Sequence, residues 1–143
     1  MGLIRDIDSL EPVTRAAATK AVEELKAKGI SFLVNETLRL RVTQYLYYLQ
    51  GRAALDVVNL LRQDAGFWPL TASENQKQVT QTLKSKHIDG KALDIAPTKN
   101  GQVWWDAPAE VWQAIADIMK SHGFEWGGDW KEFKDSPHYQ LKE

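Results

Sequence analysis

Apolar residues recur along the first half of this chain at helical spacing. Val13, Ala16, Ala17, Val22 and Leu25 fall near one face and predict a helix over 9–29. Ser9 is its expected cap, Pro12 suits its first turn, and Gly29 can end it. Ile30 to Val34 is a short, mostly apolar run and predicts a buried strand. A second helix is predicted over 43–50, with Leu46 and Leu49 inward and Gly51 as its stop. A third is predicted over 53–64. There Ala54, Val58 and Leu61 stand at helical spacing, with Leu55 beside them and Arg62 and Asp64 toward water. Residues 65–78, with Gly66, Pro69 and the polar run SENQKQ, read as a loop holding one short helical turn.

The pattern changes from Val79. Ala92–Ala96 and Gln102–Trp105 read as strands joined around 97–101, where Asn100-Gly101 is a turn signal. Asp106 is the expected cap of a further helix with Pro108 in its first turn, running to about Ser121. Val111, Ile115, Ile118 and Met119 form its apolar stripe, and Gly123 ends it. A last strand is predicted around His138–Leu141. Helices come mainly early and strands mainly late, which predicts an α+β fold. The length of 143 residues suits a single domain.

Composition narrows the function. Charged residues make up 26% and nearly balance, for a formal net charge of -1, so nothing indicates a nucleic-acid partner. The chain has no cysteine, which excludes disulfides and thiolate metal sites. Any transition-metal site must draw on Asp, Glu and the three histidines, His87, His122 and His138. The opening MGLIRDIDSL has no secretory pattern, and Asp6 stands where a myristoylation motif wants Ser or Thr. No run of about 18 apolar residues occurs. Synthesis in the cytoplasm and no membrane insertion are expected, as is a monomer. A substrate beyond the membrane would be reached only after release by another factor.

His87 and Asp94 share the stretch SKHIDGKALD, where a turn around Gly90 leads into a strand. His138 lies in the late strand. If the two strands are neighbours, three ligands of types zinc accepts converge and leave a fourth position for water. Spacing alone does not separate this from a surface His–Asp pair. Asp135, three residues before His138, is placed for proton transfer beside such an ion, or for capping the turn at Ser136-Pro137. Asp89, Asp129 and Glu132 are equally local carboxylates. Arg39 and Arg41 follow the first strand, and either could bind a carboxylate or polarise a carbonyl. His122 reads as a cation at a helix C-terminus and stays outside the metal set. Trp104, Trp105, Trp112, Trp126 and Trp130 crowd one region, as core or as walls.

These stretches resemble a known family. SKHIDGKALDI, residues 85–95, is similar to the Ser-x-His-x-x-Gly-x-Ala-x-Asp motif of the zinc D-alanyl-D-alanine carboxypeptidases and L-alanyl-D-glutamate endopeptidases, which share a fold with the Hedgehog signalling domain. WGGDWKEFKDSPHYQ, residues 126–140, resembles the second motif, whose Asp-x-x-His supplies a base and the last zinc ligand. ETLRLRVTQYLYYLQGR, residues 36–52, resembles the Arg-containing segment, with Thr37, Arg39, Gln44, Gln50, Gly51 and Arg52 in place. The resemblance implies helices packed on a small, mostly antiparallel sheet. It implies zinc on His87, Asp94 and His138, with Asp135 as general base. Arg39 rather than Arg41 becomes the substrate-binding or polarising residue, and Ser85 a contact to substrate or behind the ligands. The WGGDW form points to the phage endolysin branch, acting on the L-Ala–D-Glu bond of the peptidoglycan stem peptide without a separate wall-binding domain. Residues 53–77 exceed the short link the family implies, and are expected to form a lid or wall.

Three rivals remain open. A carboxypeptidase would trim the terminal D-alanine. A non-catalytic zinc module would bind wall or a protein and need no base. A glycan-cutting enzyme needs paired carboxylates about 5 to 9 Å apart, for which Glu36 or Glu125 could be recruited.

Overall fold

The computed structural model describes residues 2–143. Its first helix, α1 (Pro12–Ala27), begins later than the apolar pattern predicts. Pro12 has no amide to satisfy and takes the first helical position. The cap is therefore Glu11, whose side chain accepts from the Val13 and Thr14 amides. Ser9 closes a short 3-10 turn, Ile7–Ser9, and its hydroxyl meets Thr37 Oγ1 at 2.9 Å. Gly29 ends the helix at a φ of 72°, in the left-handed region open to glycine.

The sheet is antiparallel throughout. Strand β1 (Phe32–Glu36), two residues later than expected, pairs with β2 (Ala92–Lys99). Asn100 and Gly101, at φ 55° and 77°, make the expected tight turn into β3 (Gln102–Val103). Pro97 lies inside β2 rather than in the connection. Helix α4 (Ala109–Ser121) follows, capped by the backbone at Pro108; Asp106 stays exposed outside it. Strand β4 (Phe124–Trp126) was not foreseen, since three residues between two glycines are too few to show alternation. Strand β5 (His138–Leu141) matches expectation. The strand order is β1-β2-β5-β4, with β3 on the end of β2.

Helices α1 and α4 cover one face of this sheet. Leu25, Leu93, Ile95, Ile115, Met119 and Tyr139 are fully buried between the layers. Burying an aliphatic side chain of this size contributes about 1.5–3 kcal/mol. Alternation then sends Asp94, His138 and Gln140 to the opposite face. On β1 a bulge between Val34 and Glu36 breaks the alternation. Val34 opposes Ile95, and Glu36 opposes Asp94. The extra residue thus turns Glu36 onto the polar face beside Asp94, as bulges near functional sites do.

Helices α2 (Arg41–Leu49) and α3 (Leu55–Asp64) carry the remaining helical pattern. Of the predicted α3 stripe only Val58 is fully inside; Ala54 and Leu61 are exposed. Arg62, expected to face water, is buried instead. The chain after α3 folds back over it, so that Arg62 Nε donates to Trp68 O at 2.7 Å and its guanidinium lies over the rings of Phe67 and Trp68. Asn59 bonds both backbone groups of Leu70, Asn75 Nδ2 donates to Ala53 O, and Gln50 Nε2 donates to Glu74 O. Residues 53–77 are thus folded back on themselves and tied to the end of α2. No helix of the described residues is long and apolar enough to cross a membrane.

Candidate metal centre

The site forms where β2 and β5 run side by side. Their register sets Asp94 opposite His138 on the polar face. His87 arrives from the loop before β2. Ser85 Oγ accepts from the His87 amide at 3.2 Å, and Gly90, at φ 69°, reverses the chain into the strand. Gly90 packs so closely on Glu11 that an added Cβ would overlap the Glu11 backbone. That close approach fixes the loop against the start of α1.

His87 Nε2 lies 3.0 Å and His138 Nδ1 3.4 Å from the same oxygen, Asp94 Oδ1. One ligand atom from each residue falls within 4.8 Å of the others. His87 is buried, and its Nδ1 donates to Thr37 O at 2.7 Å. That carbonyl accepts only, so the neutral ring turns a lone pair on Nε2 toward Asp94. Lone pairs this close repel unless a cation lies among them. Without an ion, ring protons take its place: burial opposes ionisation of Asp94, but hydrogen bonds from His138 and His87 outweigh it and hold the carboxyl well below its usual range. Burial likewise disfavours charge on His138, yet its bond to Asp94 and that residue's charge raise its pKa. Two imidazoles and one carboxylate are a donor set that zinc accepts, with a position left over. The residues present fit that ion. Among the described residues, His87, Asp94 and His138 are the group so arranged. His122 is elsewhere, paired with Glu24 at 2.9 Å.

Asp135 approaches from the turn before β5. Its amide donates to Gly127 O at 3.0 Å and its carbonyl accepts from the His138 amide at 3.1 Å. The residue is exposed, but its carboxyl is close enough to feel the charges of Asp94, His138, His87 and Arg39. Partial desolvation and the negative charge of Asp94 push its pKa above the ordinary carboxylate value. The Trp130 ring lies 5.2 Å from His138.

Arg39 reaches the site from the segment after β1. Its amide donates to His87 O at 3.0 Å. Nε and one terminal nitrogen clasp Glu36 at 3.1 and 2.6 Å, and the other donates to Gln44 Oε1 at 2.7 Å. Three of five N–H donors are used, leaving two. Burial would lower the Arg39 pKa, but the bond and charge of Glu36 raise it, so the guanidinium stays charged. Arg41 opens α2 at an exposed position and makes none of these contacts. The sequence holds Thr37 and Gln44 as motif positions without a role, and Glu36 only as a carboxylate for the rival glycan chemistry. Glu36 and Gln44 clasp Arg39, and the Thr37 carbonyl orients His87. The bulge that presents Glu36 leaves no mark on hydrophobic periodicity.

Comparison with known proteins accords with this geometry. Residues 78–141 match the family model described as D-alanyl-D-alanine carboxypeptidase. Over 140 residues the chain is 30% identical to the peptidoglycan L-alanyl-D-glutamate endopeptidase CwlK of Bacillus subtilis (strain 168), covering 92% of this chain and 73% of that one. The chain belongs to this peptidase family. It is also 30% identical over 139 residues, 96% of its length, to the L-alanyl-D-glutamate peptidase of Listeria phage A118, and spans 40% of that longer protein. The family's fold recurs in the Serratia marcescens L-Ala D-Glu endopeptidase ChiX, at a TM-score of 0.60 and 24% identity, covering 95% of this chain and 83% of that one. It recurs again in the vancomycin resistance D,D-pentapeptidase VanY in complex with Zn(II), at a TM-score of 0.55 and 15% identity, over 92% of this chain and 72% of that one.

Proposed function

We propose that this chain is a zinc peptidase of the bacterial cell wall that hydrolyses the L-alanyl–D-glutamate bond of the peptidoglycan stem peptide. The observation that carries the reading is the convergence of His87, Asp94 and His138, with Asp135 and Arg39 on hand. The two relatives at 30% identity bear the names of L-alanyl-D-glutamate peptidases, which favours that bond over a terminal D-alanine. Neither carboxylate considered for glycan cutting is free: Glu36 is clasped by Arg39, and Glu125 accepts from Gln140.

His87, Asp94 and His138 would hold the ion through Nε2, a carboxylate oxygen and Nδ1. Zinc so held supplies Lewis acidity, polarising a carbonyl and bringing the pKa of water to about 7. Asp135 takes the proton of the attacking water and delivers it to the leaving amine. Its upward-shifted pKa suits a group that must accept and then release a proton. The two unused donors of Arg39 meet a substrate carboxylate or the oxygen on which charge develops. Glu36 and Gln44 hold the guanidinium in place beforehand, so it need not reorganise as that charge forms. Ser85 supports the His87 turn from behind.

Digestion of purified peptidoglycan, followed by mass spectrometry of the products, tests the proposal. New D-glutamate amino termini that vanish with a chelator and return with zinc are expected. Release of free D-alanine would assign a carboxypeptidase instead. Zinc-loaded protein that leaves the wall intact would make it a binding module.

A further inference from the structure

The polar face of the sheet continues one step beyond the three candidate ligands. Gln140 follows His138 by two residues on β5 and so shares its face. The register sets Gln140 between Ala92 of β2 and Glu125 of β4. Glu125 Oε1 accepts from Gln140 Nε2, and Gln140 Oε1 lies 2.9 Å from His138 Nε2. Glu125 is not among the residues that could share an ion, and both polar ends of Gln140 are taken up by His138 and Glu125.

We infer that Glu125 and Gln140 are positioning residues for the metal centre, a two-step relay that fixes the tautomer and aim of His138 and so tightens zinc binding. The inference rests on the metal reading above. An ionised carboxylate can only accept, so Glu125 draws the NH2 end of the Gln140 amide toward itself. The amide oxygen then faces His138. That oxygen also only accepts, so His138 Nε2 must carry the hydrogen. With the ion bound, the imidazole is neutral and has one N–H, which leaves the lone pair on Nδ1, the nitrogen 3.4 Å from Asp94 Oδ1. With the Gln140 amide reversed, the hydrogen would sit on the nitrogen that has to bind the ion. At His87 the same result comes from the main-chain carbonyl of Thr37 at 2.7 Å, which no side-chain substitution removes. At His138 side chains do it, so the effect can be tested by mutation. Hydrogen-bonded partners behind a metal-bound imidazole typically carry about 10- to 100-fold in affinity.

Zinc affinity measured by competition with a chelator is the test, on wild type, Gln140→Leu and Glu125→Gln. Gln140→Leu should weaken zinc about 10- to 100-fold. Glu125→Gln should weaken it less, because an amide partner lets Gln140 present either end. Melting temperatures of the metal-free proteins should stay within a few degrees, since an exchange at this cross-strand pair leaves the core intact. In the zinc-loaded wild type, the imidazole NMR spectrum should show a slowly exchanging proton on His138 Nε2, and Gln140→Leu should lose that protection. If Gln140→Leu unfolds, Glu125→Gln, which keeps the volume, carries the test. Affinities of both variants within twofold of wild type overturn the relay alone. A wild type that binds no zinc overturns the metal reading and the relay with it.

Discussion

A carboxylate oxygen 3.0 and 3.4 Å from two imidazole nitrogens can be held in place by protons or by a metal ion. A structural ion pair would need nothing more than Asp94 and one histidine. Here a second histidine comes from another strand, and a second carboxylate with a raised pKa stands alongside. Asp135 separates catalysis from binding. Asp135→Asn should keep one zinc per chain and lose about 10²- to 10⁴-fold in turnover, the usual worth of a general acid–base. Retained turnover, measured by release of muropeptides, would move the base elsewhere. A quieter prediction concerns Tyr139. Its hydroxyl is buried and meets no hydrogen-bond partner among the described residues. Tyr139→Phe removes the desolvated group and should leave the melting temperature unchanged or higher. A clear drop would reveal a partner for that hydroxyl.

The elements hold these residues by devices that differ in how visibly they are written. Asp94 stands between Leu93 and Ile95, and His138 and Gln140 flank Tyr139, which sets the faces within each strand; the pairing that brings the two strands together is not written locally. The caps were less legible. Ser9 and Asp106 have the better capping side chains, yet Glu11 and Pro108 stand at the helix starts, because each proline sets where the backbone can enter. Arg62 was misplaced because its partners, the Trp68 carbonyl and two aromatic rings, lie in a loop whose return path has no periodic signal. The Glu11 cap makes a pH prediction. Hydrogen bonds from the Thr14 side chain and backbone lower its pKa below the ordinary 4.5. A group depressed in the folded state stabilises above its unfolded pKa, and that gain is lost as pH falls through the folded value. The melting gap between wild type and Glu11→Ala should therefore be widest near neutral pH and narrow as acidification carries the pH below the ordinary carboxylate range. A gap that does not change with pH would mean that the carboxylate charge contributes nothing. Gly127 makes another. A Cβ there would overlap the carbonyl oxygen of Asp135. Gly127→Ala should displace the Asp135 turn, lowering turnover while zinc content holds.

Across the whole molecule, one sheet does two jobs. Its apolar face, against α1 and α4, supplies the burial that fixes the register. Its polar face uses that register to bring residues 36, 94, 125, 138 and 140 into adjoining rows. A slip of one residue between β2 and β5 would send Asp94 into the core and dissolve the site, so fold and centre stand or fall together. The bare chemistry raised His87, Asp94 and His138 as one possible ligand set beside an ordinary surface His–Asp pair, and the family resemblance chose it. Chemistry alone left Arg39 level with Arg41, and only the Glu36 bulge decides between them in space. The most direct measurement is anomalous diffraction at the zinc edge from crystals of the zinc-loaded protein. One peak is predicted between His87 Nε2, Asp94 and His138 Nδ1, at about 2.0–2.2 Å from each, with a non-protein oxygen in the fourth position. No peak there, or the main peak beside His122 and Glu24, would contradict the account.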